Sequence, residues 1–359
     1  MPRLAIDYSA LTGPVSQAEV TQYRTAAKQR PGYSTVGYTV QLVVLIVTLV
    51  LFSGFLLLTL LGAILVIGGA VSNGNPLALF GLFIPILLIA VFALLVFALV
   101  KALGGGRKWE TWLRAERFAA ANQLIFSPVD KEPQYPGAIF QGGYGRVALD
   151  HFRSATDRFL DYGTYQYETG SGKSHATHRW GFLALALDRS LPHMVLDSTA
   201  NNGLLGSNLA IFDKNQVLSL EGDFNRYFTL YCPKQYERDA LYVFTPDLMA
   251  LLIDNVAPFD VEIVDKWMFV YSAVPFDVSQ PAVHHRLLSI VETVGAKTLT
   301  QTDRYSDERV NNFAANVVAP PGQRLKRRFP LAALIIVLGV VLFTTTFWIW
   351  PVLAFLVNR

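Results

Sequence analysis

Three long apolar blocks dominate the pattern of hydrophobic and polar positions along the chain. They extend from about Thr39 to Val71, from about Leu77 to Val100 and from about Pro330 to Val357, and none contains a charged side chain. Each exceeds the roughly 20 residues that an α-helix needs to cross the hydrocarbon core of a bilayer. The pattern therefore predicts three α-helical membrane spans.

The positions of lysine and arginine predict the orientation of these spans. Basic residues precede the first block, follow the second and precede the third, whereas the turn between the first two has no charge. Positive residues near span ends remain on the cytoplasmic side. We therefore expect a bacterial inner (plasma) membrane protein whose N-terminus and main domain are cytoplasmic and whose C-terminus lies outside.

A basic flank is predicted to face the lipid at the membrane boundaries. Lysine and arginine side chains at such positions are attracted to anionic headgroups, at about 1 kcal/mol per charge. The predicted flank consists of Arg107, Lys108, Arg324, Lys326, Arg327 and Arg328.

The segments next to the first two spans show helical features. Ser16 and Glu19 have the spacing of a capping box, which predicts a helix that begins there. After the second span, an amphipathic helix is predicted to carry Trp109 and Trp112 on its apolar side. These two tryptophans suit either the headgroup zone or a contact with the domain that follows.

Between the second and third blocks the pattern changes to alternation, which is typical of strands. A long hairpin is predicted around the loop Thr169–His175, with its second strand over Thr177–Leu187, and a further strand over Met194–Asp197. A second hairpin is predicted around Asp265-Lys266, followed by a helix from about Gln280 to Val294. This order of elements predicts an α+β domain with a mainly antiparallel sheet.

The patterns together divide the chain into seven parts. We predict an N-terminal cytoplasmic segment (1–37), transmembrane helix 1 (38–71), transmembrane helix 2 (77–101), a juxtamembrane amphipathic helix (104–124), a cytoplasmic α+β domain (125–296), a polar tether with a basic flank (297–328) and transmembrane helix 3 (329–357).

Composition and charge narrow the possible functions. Hydrophobic residues make up 52% of the chain and charged residues only 16%. From Phe118 to Gln323 there are 16 Lys and Arg against 23 Asp and Glu, a net charge of −7. An acidic body weighs against nucleic acid as a partner, because phosphate binding needs a basic face. The single cysteine, Cys232, excludes an intramolecular disulfide.

Several residues are candidates for chemistry. His175, His178, His284 and His285 could in principle supply a zinc site, although two residues three apart on a strand point to opposite faces. The run Gly170-Ser171-Gly172-Lys173-Ser174 lacks the first glycine of a phosphate-binding P-loop and leads from strand to strand, which favours a hairpin tip.

Two further candidates remain open at this level. Cys232 has no motif around it that would activate a thiol, which favours a buried structural side chain. Glu237, Arg238 and Asp239 at the start of a helix form either a charged docking surface or a solvated turn.

Two stretches resemble an uncharacterised family of bacterial membrane-anchored proteins. They are Tyr165-Gln166-Tyr167-Glu168-Thr169-Gly170-Ser171-Gly172-Lys173 and Leu220-Glu221-Gly222-Asp223-Phe224-Asn225. The resemblance covers roughly residues 135–275 and implies the architecture and a bacterial origin. The family has no assigned activity, catalytic residues or cofactor that the resemblance would transfer.

These observations favour an interaction or scaffold module over an enzyme. The spans have no ionisable side chain, which weighs against a transport pathway through them. We expect the lipid bilayer and a protein as partners, and we predict neither catalytic residues nor a cofactor. The alternatives are a membrane-bound hydrolase or metalloenzyme that uses the four histidines, and an accessory subunit of a transport complex.

Overall fold

The computed structural model describes residues 6–33, 36–72, 83–103, 107–155, 158–202, 209, 212–310, 316–327 and 339. The turn at 73–76 and, apart from residue 339, the third predicted span lie outside the described residues. The chain forms two compact units, a helical one over Asp7–Ala121 and a larger one that contains 122–359.

The helical unit contains two long apolar helices. Its helices are α1 (Ser9–Thr12), α2 (Gln17–Ala27), α3 (Val36–Ser72), α4 (Phe83–Leu103) and α5 (Arg107–Ala121). Within α3 and α4, the segments Leu42–Ile64 and Phe83–Val100 are long and apolar enough to cross a membrane by length and composition. The rings of Phe52 and Phe92 stack 6.4 Å apart, so the two helices pack against each other.

The predicted capping box at the start of α2 is confirmed. The Ser16 hydroxyl accepts a hydrogen bond from the Glu19 backbone N–H (3.3 Å), and the Glu19 carboxylate accepts one from the Ser16 N–H (2.7 Å). Two backbone donors that a helix N-terminus leaves without partners are thereby satisfied.

The two tryptophans of α5 are covered by the N-terminal segment. Trp109 and Trp112 are 7% and 2% exposed. Tyr23 packs edge-on against Trp109 at 6.3 Å, and Tyr33 packs edge-on against Trp112 at 5.4 Å. Aromatic residues before the first span therefore contribute to the burial of both tryptophans, a packing that neither predicted placement included.

The larger unit is an α+β domain built on an antiparallel sheet. Its strands are β1 (Leu124–Lys131), β2 (Tyr144–Ser154), β3 (Leu160–Thr169), β4 (Ala176–Ser198), β5 (Val217–Leu218), β6 (Phe228–Tyr231) and β7 (Asp260–Ser272). The order is β1-β2-β3-β4-β6-β5, with β7 paired to β4 on its other edge. Every pairing between these strands is antiparallel, which confirms the predicted class of sheet.

Two strand predictions were too short. The strands predicted at Thr177–Leu187 and Met194–Asp197 are one continuous strand, β4. The hairpin predicted around Asp265 is wrong, because β7 continues through it with Asp265 at a φ of 53°. Asp265 faces Leu191 where the register shifts, so this residue forms a bulge rather than a turn. Bulges and turns use the same residue types, which is why the sequence pattern predicts a turn at this position.

Helices cover one face of the sheet and irregular chain covers the other. The helices are α6 (Glu237–Val243), α7 (Pro246–Asn255), α8 (Pro281–Ile290), α9 (Ala296–Thr302) and α10 (Pro320–Gln323), with a π-helical turn over Val291–Gly295. On the other face, the segment around Ile139 and Phe140 completes an aromatic core with Tyr165 and Phe269. Burial of these apolar surfaces is the main source of stability of the domain.

The polar tether predicted over 297–328 is wrong for its described part. The chain forms α9 and then packs along β4, where Asn316 accepts a hydrogen bond from Ser190 N (2.7 Å). Further along, the Leu325 backbone N–H donates to Nδ1 of the buried His193 (3.0 Å). The polar groups of this segment therefore form hydrogen bonds with the rest of the domain rather than with solvent.

Candidate functional site

A buried carboxylate, Asp307, holds the segment after α9 in place. Its oxygens accept hydrogen bonds from Tyr236 Oη (2.7 Å), the Ala319 N–H (2.8 Å) and the Arg309 N–H (3.0 Å). Burial alone would raise the pKa of Asp307, but these hydrogen bonds together hold it below its ordinary value. The ionised side chain therefore joins three separate parts of the chain.

The side chain of Arg309 is fixed on three sides. Its guanidinium pairs with Asp239 (3.0 Å) and with Asp307 (3.1 Å), and it lies 3.9 Å over the ring of Tyr236. Burial lowers the pKa of Arg309, but the carboxylates of Asp239 and Asp307 outweigh this effect and raise it. Tyr305 completes the cluster, because its hydroxyl donates to Asp239 Oδ1 (2.8 Å).

These contacts form one wall of a solvent-open cleft between α6 and the segment after α9. Its volume is about 290 Å³. We call it the arginine–tyrosine cleft, and its lining residues are Arg238, Asp239, Tyr242, Arg304, Tyr305, Ser306, Glu308 and Arg309.

The arginine–tyrosine cleft offers positive charge and exposed aromatic surface. Arg238 and Arg304 are exposed, and within the described part of the chain neither has an ion pair. Tyr242 is 43% exposed and its ring lies 6.2 Å from that of Tyr305. Arginine and tyrosine are enriched at the energetically important positions of protein interfaces. The cleft can therefore bind a ligand that carries carboxylates and some apolar surface.

Two buried carboxylate–histidine–tyrosine groups lie on the sheet face opposite the helices. In the first, Asp161 binds His151 Nδ1 (2.8 Å) and accepts from Tyr135 Oη (2.6 Å). Gly163 leaves space for the side chain of His151, because a Cβ at position 163 would lie 2.5 Å from the Cβ of His151. His151 and Asp161 are each 1% exposed, so a substrate reaches them only if the covering chain moves.

The second group links the sheet to the C-terminal segment. Glu262 binds His193 Nε2 (2.7 Å) and accepts from Tyr271 Oη (2.7 Å). Since His193 Nδ1 accepts the Leu325 N–H, the proton of the neutral ring is on Nε2 and is donated to Glu262. This arrangement gives both ring nitrogens a partner and stabilises the segment that carries Leu325.

The structure does not bring the four candidate histidines together. His175 and His178 lie at the β3–β4 hairpin tip, where they contact Glu168 (3.2 Å) and Thr169 (2.8 Å) respectively. His284 is fully buried on α8, and its two nitrogens bond Tyr162 Oη (2.9 Å) and the Val278 carbonyl (2.8 Å). His285 is exposed on the same helix. Among the described residues no group of three potential ligands has the geometry to hold a metal.

The other candidates take different roles. The glycine–serine run is a hairpin tip, since Thr169 pairs with Ala176 across it. Cys232 is buried, and burial together with the charges of Glu237 and Asp239 raises the pKa of its thiol to about 12, which keeps it protonated. Of the charged residues at the start of α6, Arg238 and Asp239 line the arginine–tyrosine cleft.

The described members of the basic flank lie at two places. Lys108 packs over the ring of Trp112 at 4.4 Å in the helical unit. Arg324 pairs with Asp265 (3.2 Å), and Lys326 and Arg327 are exposed. Arg328 lies outside the described residues.

Sequence reasoning missed most of the cleft. Arg304, Tyr305 and Arg309 fall in the segment that we predicted to be a tether, and Tyr242 had no pattern around it. The alternation of arginine, tyrosine and aspartate over 303–309 was the available signal, because such side chains can bind one another.

No family model and no curated protein matches the chain. Among solved structures, the crystal structure of the mycobacterial trehalose monomycolate transport factor A, TtfA, is similar at 10% identity and a TM-score of 0.33. The match covers 54% of this chain and 92% of that one. A TM-score of this size does not establish a common fold.

Proposed function

We propose that this protein is a membrane-anchored interaction module whose α+β domain binds an acidic segment of another membrane protein in the arginine–tyrosine cleft. The observation that carries the proposal is the cleft itself. It is open to solvent, one wall is rigid because Asp239 and Asp307 fix Arg309, and two further arginines border it. Preorganised side chains lose little entropy when they bind, which favours recognition.

The helical unit supports the membrane anchoring. The N-terminal segment and α5 contact each other, through an ion pair of Arg30 with Glu116 (2.6 Å) and stacking of Tyr8 on Phe118 (5.9 Å). Two segments on either side of α3 and α4 can meet in this way only on the same side of a membrane. A helical hairpin through the bilayer satisfies this condition.

The charges of the cleft determine the chemistry of the partner. Asp239 and Asp307 form ion pairs with Arg309, and Glu308 is the second acidic residue, besides Asp239, among the described residues that line the cleft. Arg238 and Arg304 are therefore available to carboxylates, with which arginine forms paired hydrogen bonds. A partner that is itself in the membrane is held at the same surface, which raises its local concentration.

Crosslinking of the full chain in native membranes tests the proposal. The variant carries Arg238→Glu and Arg304→Glu, and the matched control is Arg226→Glu, another exposed arginine of the same domain. We expect the variant to capture its partner at least roughly tenfold less than wild type, since an interfacial arginine contributes about 1–2 kcal/mol. We expect the control to match wild type.

The identity of the crosslinked peptide provides the decisive readout. The proposal is supported if the crosslinked peptide of the partner is acidic. Replacement of its acidic residues by arginine should then restore capture by the variant that carries Arg238→Glu and Arg304→Glu. Equal capture by the variant and by Arg226→Glu would overturn it. A partner with many spans of its own would make this chain an accessory subunit of that complex.

A further inference from the structure

The residues just before the third apolar block are bound tightly to the domain. The side-chain amide of Gln216 forms two hydrogen bonds with the backbone of Lys326. Its Oε1 accepts the Lys326 N–H (2.9 Å), and its Nε2 donates to the Lys326 carbonyl (2.9 Å). Leu325 is 6% exposed and packs with Val195 and Phe212. The segment that enters the predicted third span therefore has a defined position on the domain surface.

This attachment creates a second cavity, of about 230 Å³. It is lined by Asp213, Asn215, Gln216, Pro233, Lys234, Gln235, Pro321, Arg324 and Lys326. We call it the C-terminal basic pocket. Three of its side chains are positive and one is negative.

The one carboxylate of the pocket is partly satisfied by the chain itself. Asp213 Oδ1 accepts the Asn215 N–H (3.1 Å). Arg324 has an ion pair with Asp265 at 3.2 Å, but both side chains are about half exposed, so this pair is weak. Lys234 and Lys326 are exposed and have no ion pair within the ranges that the structure describes. The pocket therefore has a surplus of positive charge.

If the predicted third span crosses the bilayer, the length of the chain brings this pocket near the membrane. The apolar block begins at Pro330, four residues after Lys326, which lines the pocket. Four residues span at most roughly 14 Å even when fully extended. The headgroup layer adds several ångströms outside the hydrocarbon core. A third span that enters the bilayer at Pro330 thus brings the pocket to the level of the lipid phosphates.

We propose that the C-terminal basic pocket binds the phosphate of one anionic phospholipid headgroup. Lys234 and Lys326 supply the positive charge, and the side-chain amides of Asn215 and Gln235 are donors for the headgroup's remaining oxygens. A choline headgroup fits less well, because its own cation would lie beside two lysines. This site is separate from the arginine–tyrosine cleft and does not depend on the protein partner.

Lysine footprinting of the full chain tests this site. The protein is reconstituted in nanodiscs of phosphatidylcholine alone or with added phosphatidylglycerol, and an amine-reactive reagent is applied before mass spectrometry. We expect labelling of Lys234 and Lys326 to fall several-fold in the anionic discs. Lys131, which is exposed at the end of β1, is the internal reference and is expected to react equally in both.

A charge-reversal variant distinguishes lipid binding in the C-terminal basic pocket from a general attraction of the basic flank to the membrane. Lys234→Glu changes a residue that follows β6 and is remote in sequence from the flank. In this variant we expect Lys326 to lose its protection, whereas Lys131→Glu leaves it unchanged. Protection of Lys326 that persists in Lys234→Glu would overturn the proposal.

A third arm identifies the source of the phosphate. Inorganic phosphate is added to discs of phosphatidylcholine alone. We expect it to protect neither lysine at concentrations where the lipid protects both. Equal protection by inorganic phosphate, or no protection of Lys234 by phosphatidylglycerol, contradicts a lipid site.

Discussion

At the scale of single residues, Asp260 shows how burial sets the charge of a side chain. It is fully buried at the start of β7, and burial raises the pKa of its carboxyl to about 7. Hydrogen bonds from the Ser198 N–H and Asn201 oppose this shift, and the neighbouring Asp197 adds to it. The carboxyl therefore ionises near neutral pH, in an interior that disfavours the charge.

Replacement of Asp260 by asparagine is expected to stabilise the protein above pH 7. The pKa in the folded state is above the ordinary value of 3.8, so the folded state holds the proton more firmly and the free energy of unfolding falls as pH rises between these values. Asparagine has no charge and keeps an oxygen for the Ser198 N–H. We expect a gain of roughly 2–4 kcal/mol at pH 8.

Thermal unfolding of the full chain in detergent at pH 5 and pH 8 measures this effect. Asp254→Asn, at an exposed position of α7, is the control and should leave the melting temperature unchanged. A melting temperature of Asp260→Asn at pH 8 that equals or falls below that of wild type contradicts the expectation.

His284 has the opposite dependence on pH. Burial lowers the pKa of its imidazole to about 4, from an ordinary value of 6.5. As pH falls, the unfolded chain therefore binds this proton at a higher pH than the folded chain does. The free energy of unfolding consequently decreases as pH falls from 6.5 towards 4. The loss amounts to roughly 3 kcal/mol over this range. We expect His284→Gln, which cannot be protonated, to be less stable at pH 7 and to show a smaller decrease between pH 6.5 and 4.5 in denaturant titrations.

At the scale of elements, the segment after α9 depends on Asp307. Its carboxylate is fully buried and binds Tyr236, Arg309 and the backbone of Ala319. Asp307→Ala leaves these donors without a partner, and such losses cost about 3–5 kcal/mol. We expect trypsin to cleave after Arg309 and Arg324 in this variant under conditions in which it spares both sites in wild type.

A neighbouring exposed aspartate provides the control for that prediction. The side chain of Asp303 is exposed, and the contact of this residue with Arg189 uses its backbone carbonyl. We expect Asp303→Ala to resist trypsin as wild type does. Equal protease resistance of Asp307→Ala and Asp303→Ala would show that the carboxylate does not hold the segment.

At the scale of the whole molecule, the distribution of lysine and arginine predicts the orientation in the membrane. Cys232 is the only cysteine of the chain, and it is buried with a raised pKa. Thiol labelling of introduced cysteines therefore has little background from the native protein. Asp223, exposed before β6, and Asn358, near the C-terminus, report on the two predicted sides.

Labelling of intact cells with a membrane-impermeant maleimide tests this orientation. We expect Asp223→Cys to react only after the cells are permeabilised, and Asn358→Cys to react in intact cells, because the lysines and arginines flank the domain side of each span. Reaction of Asp223→Cys in intact cells would place the domain outside and contradict the orientation.

The elements that the sequence predicted well are those that local interactions determine. The capping box of Ser16 with Glu19 needs only residues three apart, and the β3–β4 hairpin needs only two neighbouring strands. The residues around Asp265 predict a turn where the structure has a bulge, since only the pairing of β7 with β4 distinguishes the two. The polar residues after Lys297 predict a tether, because their partners lie far away in sequence and leave no local signal.

The sequence by itself determined the apolar segments, the acidic character of the domain and the class of its sheet, since these follow from composition and periodicity. The tertiary structure decided where the polar side chains meet. Asp239 and Arg309 are 70 residues apart and form one wall of a cleft, and Gln216 and Lys326 are 110 apart and border a pocket. Contacts between such distant residues depend on how the whole chain packs, and no local pattern encodes them.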